Sequence, residues 1–549
     1  MADSAFVNGK IYRVDSERTW AQAVAVRDGQ FIAVGSDAEI ESYIGPETVV
    51  TDLQGRMAMP GIQDLHIHPV AGALMELHEC SFPPSATLPE IAARVQSCAA
   101  DRPPGSWIRG GAFGTRLLGP DQNLHYSFLD AAAPEHPVML SSSGGHSVWV
   151  NSRALKLAGI DKNTTDPENG YIARDEITGE PTGILQEAAG RLVSAGIPDY
   201  SPGQRVAAIG HFSRDLNSRG ITSIKDASTS RTELAAYADA ANQGVLSLRV
   251  ATSLIWPTAS MSREKRSALV RSRFKYRRTL VNPDFAKIFV DGSAGGRKAA
   301  YLEPYKSDDS QDTDYYGEFL VTPDRLDEYL VLLDSKGISV KMHCGGDAAV
   351  RAALDAIAAA RRVNGDSGIP HEISHPNLVS PEDIPRFKLL NAVADLTPVV
   401  WYPHPVLRIL AKNLGEERVL RMWQIRSIID TGAIAVYGSD WPAIVPSTNP
   451  WRAMEAMITR RDPDIDDPRD EFVPEQSIDL AAAIEVFTRN GAYAMRQADV
   501  TGSIDVGKYA DMIVLKDNLF DMAAEDIGDT EVLLTLLNGE VVHEQGTGK

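Results

Sequence analysis

Histidine residues in this 549-residue sequence recur at spacings that suit a metal ion. His66 and His68 are separated by one residue in GIQDLHIH, a segment typical of a buried strand. Because residues i and i+2 of a strand point to the same side, both imidazoles can bind one ion. The chain has 12 histidines, so a pair at this spacing is weak evidence alone.

Further residues able to take part in a metal site lie within or at the end of other strand-like segments. Barrel enzymes build their active sites from the carboxyl-terminal ends of their strands, so the shared position of these residues predicts a metal centre. The residues are Lys287, His343, His375 and Asp440.

Lys287 fits such a site in a modified form. An ammonium group has no lone pair and repels a cation, so a buried ion pair is the alternative role of this lysine. The deprotonated amine can react with CO₂ to give a carbamate, an anionic oxygen ligand able to bridge two ions. With two Zn²⁺ ions, Asp440 and a bridging hydroxide, the carbamate leaves one net positive charge. With an ammonium in place of the carbamate, the same site has three net positive charges, which are much costlier to bury.

Eight strand-like segments alternate with helical segments, which indicates parallel strands joined by crossover helices. Eight such units predict a protein of the α/β class with a closed (β/α)₈ TIM barrel; an open doubly wound sheet is the alternative. Helix starts are predicted at Thr322-Pro323 and over Ser380-Pro-Glu-Asp383. The strand-like segments are residues 61–68, 220–227, 246–256, 285–292, 338–344, 371–375, 391–398 and 433–440.

The two ends of the chain resemble each other. Both have short alternating segments around turns typical of hairpins, namely Asn8-Gly9, Asp28-Gly29 and Asn538-Gly539. This predicts one small β domain built from both termini, with two separate β caps as the alternative. Residues 69–219 are too many for a crossover and predict an inserted subdomain.

The predicted domain boundaries follow from these patterns. They are 1–58 for the first part of a β-sandwich, 59–445 for the barrel with an insertion at about 70–200, and 446–549 for the last barrel helices and the rest of the sandwich.

Composition excludes several classes of protein. Apolar residues make up 43% and charged residues 23%, as in globular proteins. The net charge of −20, without a basic patch, argues against nucleic acid or an anionic membrane as partner. Cys80, Cys98 and Cys344 are too few and too scattered for a disulfide framework or a thiolate zinc site. Without a signal peptide or a membrane-spanning stretch in the sequence, we expect a cytoplasmic protein.

Together the motifs resemble the amidohydrolase superfamily and, within it, amidohydrolase family 3, which includes N-substituted formamide deformylase-like metal-dependent hydrolases. The resemblance runs from about Val7 to Val514. It implies a TIM-barrel metal hydrolase with a composite β-sandwich made from both termini and an insertion after the first barrel strand. The motifs are MPGIQDLHIHP, SWIRGG, GHSVWVNSRAL, PTGILQE, KIFVDGSAGGRKAAYLEPY, GGDAAVRAALDA and GSIDVGKYADMIVL.

The resemblance also implies a centre with two metal ions. It gives one ion to His66, His68 and Asp440, a second to His343 and His375, and a bridging role to Lys287 as its carbamate. Zn²⁺ is expected, although such ligands also admit other divalent metals. Metal-activated hydroxide would attack an amide or formamide-like C–N bond, with Asp440 as general base and then acid, or as a ligand alone.

Two residues are candidate substrate contacts. His146, in GGHSVWVNS, can equally be a structural histidine, and Ser293, in the loop after the fourth strand, can be a turn residue. The chain departs from the family pattern at Ser374, where an acid is common, and at Lys225, where a histidine is common. These departures put substrate preference and proton shuttling in doubt.

The expected function is therefore hydrolysis of a small-molecule amide, and the resemblance leaves a homo-oligomer open. A cyclic-amide hydrolase or a deaminase on the same scaffold is the first alternative. A serine hydrolase is disfavoured because DGSAG and GHSVW each lack one glycine of the G-x-S-x-G motif. A non-catalytic assembly protein of the same fold is disfavoured because every ligand position is filled.

Overall fold

Eight parallel strands form a nearly closed barrel in a computed structural model that describes residues 1–118, 124–143, 146–256, 263–306, 314–397, 401–443, 445, 447–465 and 471–546. Each strand pairs with the next one in the chain. The predicted (β/α)₈ barrel is thus confirmed. The strands are β1 (Ile62–Ile67), β2 (Ile221–Thr229), β3 (Arg249–Ile255), β4 (Val281–Phe289), β5 (Ser339–His343), β6 (His371–Ser374), β7 (Ala392–Leu396) and β8 (Ile434–Tyr437).

Backbone hydrogen bonds bring the segment after β8 against β1. Asp440 N donates to His66 O at 2.6 Å, and His68 N donates to Trp441 O at 2.8 Å. All residues of β1, β6 and β7 are buried, as parallel strands covered on both faces require. The barrel therefore has a packed interior, and its strand ends meet at one rim.

Helices alternate with the barrel strands along the chain. The helix Pro323–Asp334 begins after Thr322, as predicted. The predicted start over residues 380–383 lies directly before the observed one: the helix begins at Ile384 with Asp383 at its N-cap, and the Asp383 carboxylate pairs with Arg351 and Arg386. After β1 and outside the inserted segment, the α-helices are Arg231–Asn242, Arg263–Ser272, Pro323–Asp334, Asp347–Asn364, Ile384–Leu389, Pro405–Leu414, Glu416–Leu420, Ile425–Asp430, Pro450–Thr459, Leu480–Phe487 and Arg489–Ala494.

Both termini contribute to a β-sandwich with one shared core. Phe6 and Phe31 of the first sheet pack in one cluster with Met512 and Leu536 of the second sheet. Helix Asp37–Glu41 lies in the amino-terminal part. The first sheet has, in spatial order, Gln30–Gly35, Ala23–Arg27, Ser4–Val7 and Val49–Asp52; the second has Glu540–Glu544, Val532–Leu537, Met512–Leu515, Met57–Pro60, Lys10–Tyr12 and Trp20–Ala21.

The predicted turns of this sandwich have different outcomes. Asp28-Gly29 and Asn538-Gly539 join antiparallel neighbours, with all four residues at positive φ, so both hairpins are confirmed. The prediction for Asn8-Gly9 is wrong, because the two strands that it joins belong to different sheets. The chain changes sheets there instead of folding back.

Val70–Ala208 form a second compact unit. Its core includes Ile91, Phe113 and Trp149. A disulfide joins Cys80 to Cys98, a pairing that the sequence spacing did not predict. Its sheet has the order Gly170–Arg174, Pro181–Glu187, Ser147–Val150, Val138–Ser142, Ile108–Phe113 and Cys80–Ser81, and the helices of this part of the chain are Pro69–His78, Leu88–Ala100, Tyr126–Ala132, Ser152–Leu157, Gly190–Ser194 and Pro202–Ser218.

Within the described ranges, none of the helices combines the length and the apolar character that crossing a membrane requires.

Candidate metal centre

His66, His68 and Asp440 converge at the carboxyl-terminal rim of the barrel. His68 Nε2 lies 3.2 Å and His66 Nε2 3.7 Å from Asp440 Oδ1, and one ligand atom from each residue fits within 4.8 Å of the others. The side chain of His66 is 1% exposed, whereas that of His68 is 26% exposed. Two imidazoles and a carboxylate, buried on one side and open on the other, match a catalytic metal site that keeps a free position.

The backbone around Asp440 explains why the carboxylate of this residue, which follows β8, lies against β1. Asp440 has φ of 57°, in the left-handed region that ordinary residues seldom adopt, so the chain turns sharply after the strand. Gly438 allows the close approach of the two strands, because a Cβ there would lie 2.3 Å from His66 Cβ. The turn at Asp440 and the absence of a side chain at Gly438 thus set the distance between the Asp440 carboxylate and the histidines.

His343 and His375 extend this group of imidazoles. The ring centroid of His375 lies 4.5 Å from that of His66 and 5.0 Å from that of His343. His375 also has φ of 57°, which turns its side chain out of the alternation of β6. Burial and then the neighbouring imidazoles of His66 and His343 hold the pKa of His375 well below its usual range. Its ring is therefore neutral at physiological pH and keeps a lone pair for a metal.

Lys287 is buried beside the same groups. Burial, and after it the ammonium of Lys341, lower the pKa of Lys287 to about 8, although Asp395 and Asp440 oppose the shift. Burial, and then the charges of Lys287 and Lys341, also hold the pKa of His66 well below its usual range. A fraction of the Lys287 amine is therefore deprotonated at neutral pH.

Each of three histidines is held through Nδ1, which leaves Nε2 free to bind a metal. Such outer partners fix the ring orientation of metal-binding histidines. The sequence patterns do not identify these partners, although each lies within two residues of the carboxyl end of a barrel strand. The pairs are His66 with Asp395 Oδ2 at 2.6 Å, His343 with Asp291 Oδ1 at 3.1 Å, and His375 with Thr397 Oγ1 at 3.1 Å.

The two predicted substrate contacts have local partners in the structure. His146 belongs to the Val70–Ala208 unit, where its side chain is 76% exposed and its Nδ1 lies 2.9 Å from Glu187 Oε1. Ser293 is exposed in the loop after β4, and its Oγ accepts a hydrogen bond from Gly296 N at 3.3 Å. Their roles toward a substrate stay predictions.

Comparison with known sequences relates nearly the whole chain to one family. The sequence model of a protein family described as "Amidohydrolase family" matches residues 49–543. Protein LONG AFTER FAR-RED 3 of Arabidopsis thaliana is 29% identical over 99% of this chain and 92% of its own length. The N-substituted formamide deformylase of Arthrobacter pascens is 28% identical over 99% of both chains.

Solved structures share the fold. An uncharacterized metal-dependent hydrolase from Pyrococcus horikoshii OT3 superposes with a TM-score of 0.76 at 21% identity, covering 95% of this chain and 99% of its own. Atrazine chlorohydrolase TrzN from Arthrobacter aurescens TC1, complexed with zinc, has a TM-score of 0.55 at 13% identity and covers 98% of this chain and 95% of its own.

Proposed function

The chain belongs to the amidohydrolase family, and on that premise we propose that it is a metal-dependent hydrolase that cleaves the C–N bond of an amide or formamide-like small molecule. The observation that carries the proposal is the convergence of His66, His68 and Asp440 at the rim of the barrel. The similarity to an N-substituted formamide deformylase over 99% of both chains supports the choice of bond.

The donor set fits a divalent ion. His66, His68 and Asp440 would hold one ion with two imidazole nitrogens and a carboxylate, and His343 and His375 would offer two further imidazoles to a second. Imidazole and carboxylate ligands suit Zn²⁺, which we propose as the metal, and also suit other divalent metals. A bound ion supplies a Lewis acid for a carbonyl and lowers the pKa of water to about 7.

As its carbamate, Lys287 would supply an anionic oxygen ligand to the two positions. Its neutral amine would attack the carbon of CO₂: an N–C bond forms while one C=O π bond opens onto oxygen, and the proton lost from nitrogen passes to water. The lowered pKa of Lys287, about 8, supports this step because it leaves a fraction of neutral amine at physiological pH. The carbamate would put a negative charge where the buried ammonium carries a positive one.

Asp440 is the residue to which we assign proton transfer. Its carboxylate lies 3.2 Å from His68 Nε2, on the partly exposed side of the group. We assign to it the uptake of a proton from water and its delivery to the leaving nitrogen. His146 and Ser293 are proposed as contacts to the rest of the substrate.

Metal content and hydrolysis test the proposal together. Purified protein is expected to hold at least one divalent ion per chain, and to hydrolyse a member of a panel of formamides, N-acyl amino acids, lactams and aryl amides. Chelation abolishes turnover and added Zn²⁺ restores it. Ammonia released from amino-substituted heterocycles, without amide cleavage, would indicate a deaminase instead.

Matched variants locate the activity. His66→Asn and Asp440→Asn are expected to abolish turnover in a folded protein, whereas His543→Asn, in the terminal strand Glu540–Glu544, leaves it unchanged. A protein without bound metal, or full turnover in His66→Asn, refutes the proposal. The carbamate has its own readout, a ¹³C resonance after incubation with ¹³CO₂ that Lys287→Ala removes.

A further inference from the structure

Four charged side chains from four barrel strands form one buried array next to His66. Lys225 lies in β2, Lys341 in β5, Glu372 in β6 and Asp395 in β7, and each side chain is 0% exposed. Two cations and two anions balance each other. Complete burial of four charges is costly unless each finds a partner, so their contacts decide what the array does.

The contacts form an unbroken chain between Lys225 and Asp395. Lys225 Nζ pairs with Glu372 Oε1 and donates to Ala494 O at 3.0 Å. Lys341 Nζ lies 2.7 Å from Glu372 Oε2 and 2.5 Å from Asp395 Oδ2. Each ammonium thus holds a carboxylate, and Glu372 joins the two halves.

The chain ends on a proposed metal ligand. Asp395 Oδ2 lies 2.6 Å from His66 Nδ1 and accepts a hydrogen bond from Ser374 Oγ at 2.5 Å. Three groups from β1, β5 and β6 therefore meet at one carboxylate oxygen. Asp395 accepts the Nδ1 proton of His66, which leaves the lone pair on Nε2, the atom that lies 3.7 Å from Asp440 Oδ1.

We propose that Lys341, Glu372 and Lys225 are positioning residues, which act through Asp395 to hold His66 with its Nε2 toward the metal site. The inference rests on the proposed function, because it takes His66 to be a metal ligand. It also gives one structural reason for two departures from the family pattern: Lys225 belongs to this array, and Ser374 donates a hydrogen bond to Asp395 of the array. The acid that is missing beside His375 is present instead at Glu372, between two lysines.

Metal affinity is the direct readout of this role. We would titrate Zn²⁺-loaded protein with a competing chelator and record the visible absorption of Co²⁺-loaded protein. Asp395→Asn is expected to weaken Zn²⁺ binding by about 10–100-fold, the usual effect of losing an outer partner of a ligand, and to change the Co²⁺ spectrum. Lys341→Met/Glu372→Gln keeps the charge balance and is expected to weaken binding in the same direction.

A second buried ion pair, between Arg249 of β3 and Asp511, provides the control. Arg249 Nε lies 2.6 Å from Asp511 Oδ2, with side chains 3% and 0% exposed. Asp511→Asn is expected to lower the free energy of unfolding and to leave Zn²⁺ affinity and the Co²⁺ spectrum unchanged. A general loss of stability is thereby separated from a loss of ligand orientation.

The outcomes distinguish this inference from the proposed function. A wild-type protein that binds no metal overturns both. A wild-type protein that binds Zn²⁺, with array variants that bind as tightly or lose no more affinity than Asp511→Asn, overturns the inference alone. Should Asp395→Asn and the double variant not fold, Ser374→Ala decides, since it removes one hydrogen bond to Asp395. A few-fold weaker affinity then supports the inference, and an unchanged affinity overturns it.

Discussion

Replacing Gly438 by alanine tests whether the approach of β8 to β1 positions the proposed metal ligands. The new Cβ would lie 2.3 Å from His66 Cβ and 2.9 Å and 3.0 Å from its N and Cα. Cβ contacts under 3.0 Å essentially never occur and ordinary ones begin at 3.4 Å, so the two strands must separate by about 0.7–1.1 Å. Rotation of the imidazole cannot relieve the contact, because all three atoms are backbone or attached directly to it.

The size of this displacement sets the expected effects. A misplacement of about 1 Å at a reacting group costs about 100-fold in rate, and overpacking a well-packed interior costs about 1–3 kcal/mol. We expect Gly438→Ala to lower kcat/KM by about 100-fold and the free energy of unfolding by about 1–3 kcal/mol. Zn²⁺ affinity should fall as well, because His66 moves relative to Asp440.

Chelator competition and denaturant unfolding measure these effects without a known substrate, and kcat/KM is added once the panel gives one. Gly203→Ala is the matched control, since the nearest atom to its new Cβ is Ser201 Oγ at 3.9 Å. If Gly438→Ala binds Zn²⁺ and unfolds like Gly203→Ala, the close approach does not control the site and the reasoning is wrong.

Three further predictions concern other parts of the chain. Because Cys80 and Cys98 are paired and Cys344 is free, thiol titration of the denatured protein should give one thiol before reduction and three after; three before reduction would contradict the pairing. Burial raises the pKa of Glu455 to about 7, so its contribution to stability is present at low pH and is lost as the pH rises through 7. The gain in unfolding free energy from Glu455→Gln should therefore grow from about pH 5 to about pH 8, and a pH-independent gain would contradict this. Arg249→Met leaves a buried carboxylate unpaired and should cost about 3–5 kcal/mol in chemical unfolding; a cost below about 1 kcal/mol, typical of exposed pairs, would show that the pair is solvated.

Local patterns were sufficient for much of the fold. All eight barrel strands lie where β-rich segments alternate with helical ones, and the turns Asp28-Gly29 and Asn538-Gly539 form hairpins. Residue type and strand position also pointed to the histidines of the site. These features depend on side chains a few residues apart, so the sequence expresses them directly.

Contacts between distant strands were decided by the tertiary structure alone. His66 and its partner Asp395 are 329 residues apart, and no local pattern links Lys225 to Glu372. Asn8-Gly9 has the composition of a hairpin turn yet joins two sheets. Local sequence patterns are sufficient to show which residues stand near the strand ends. Which of them meet depends on strand order and register, because closing a barrel places residues side by side that the chain keeps hundreds of positions apart.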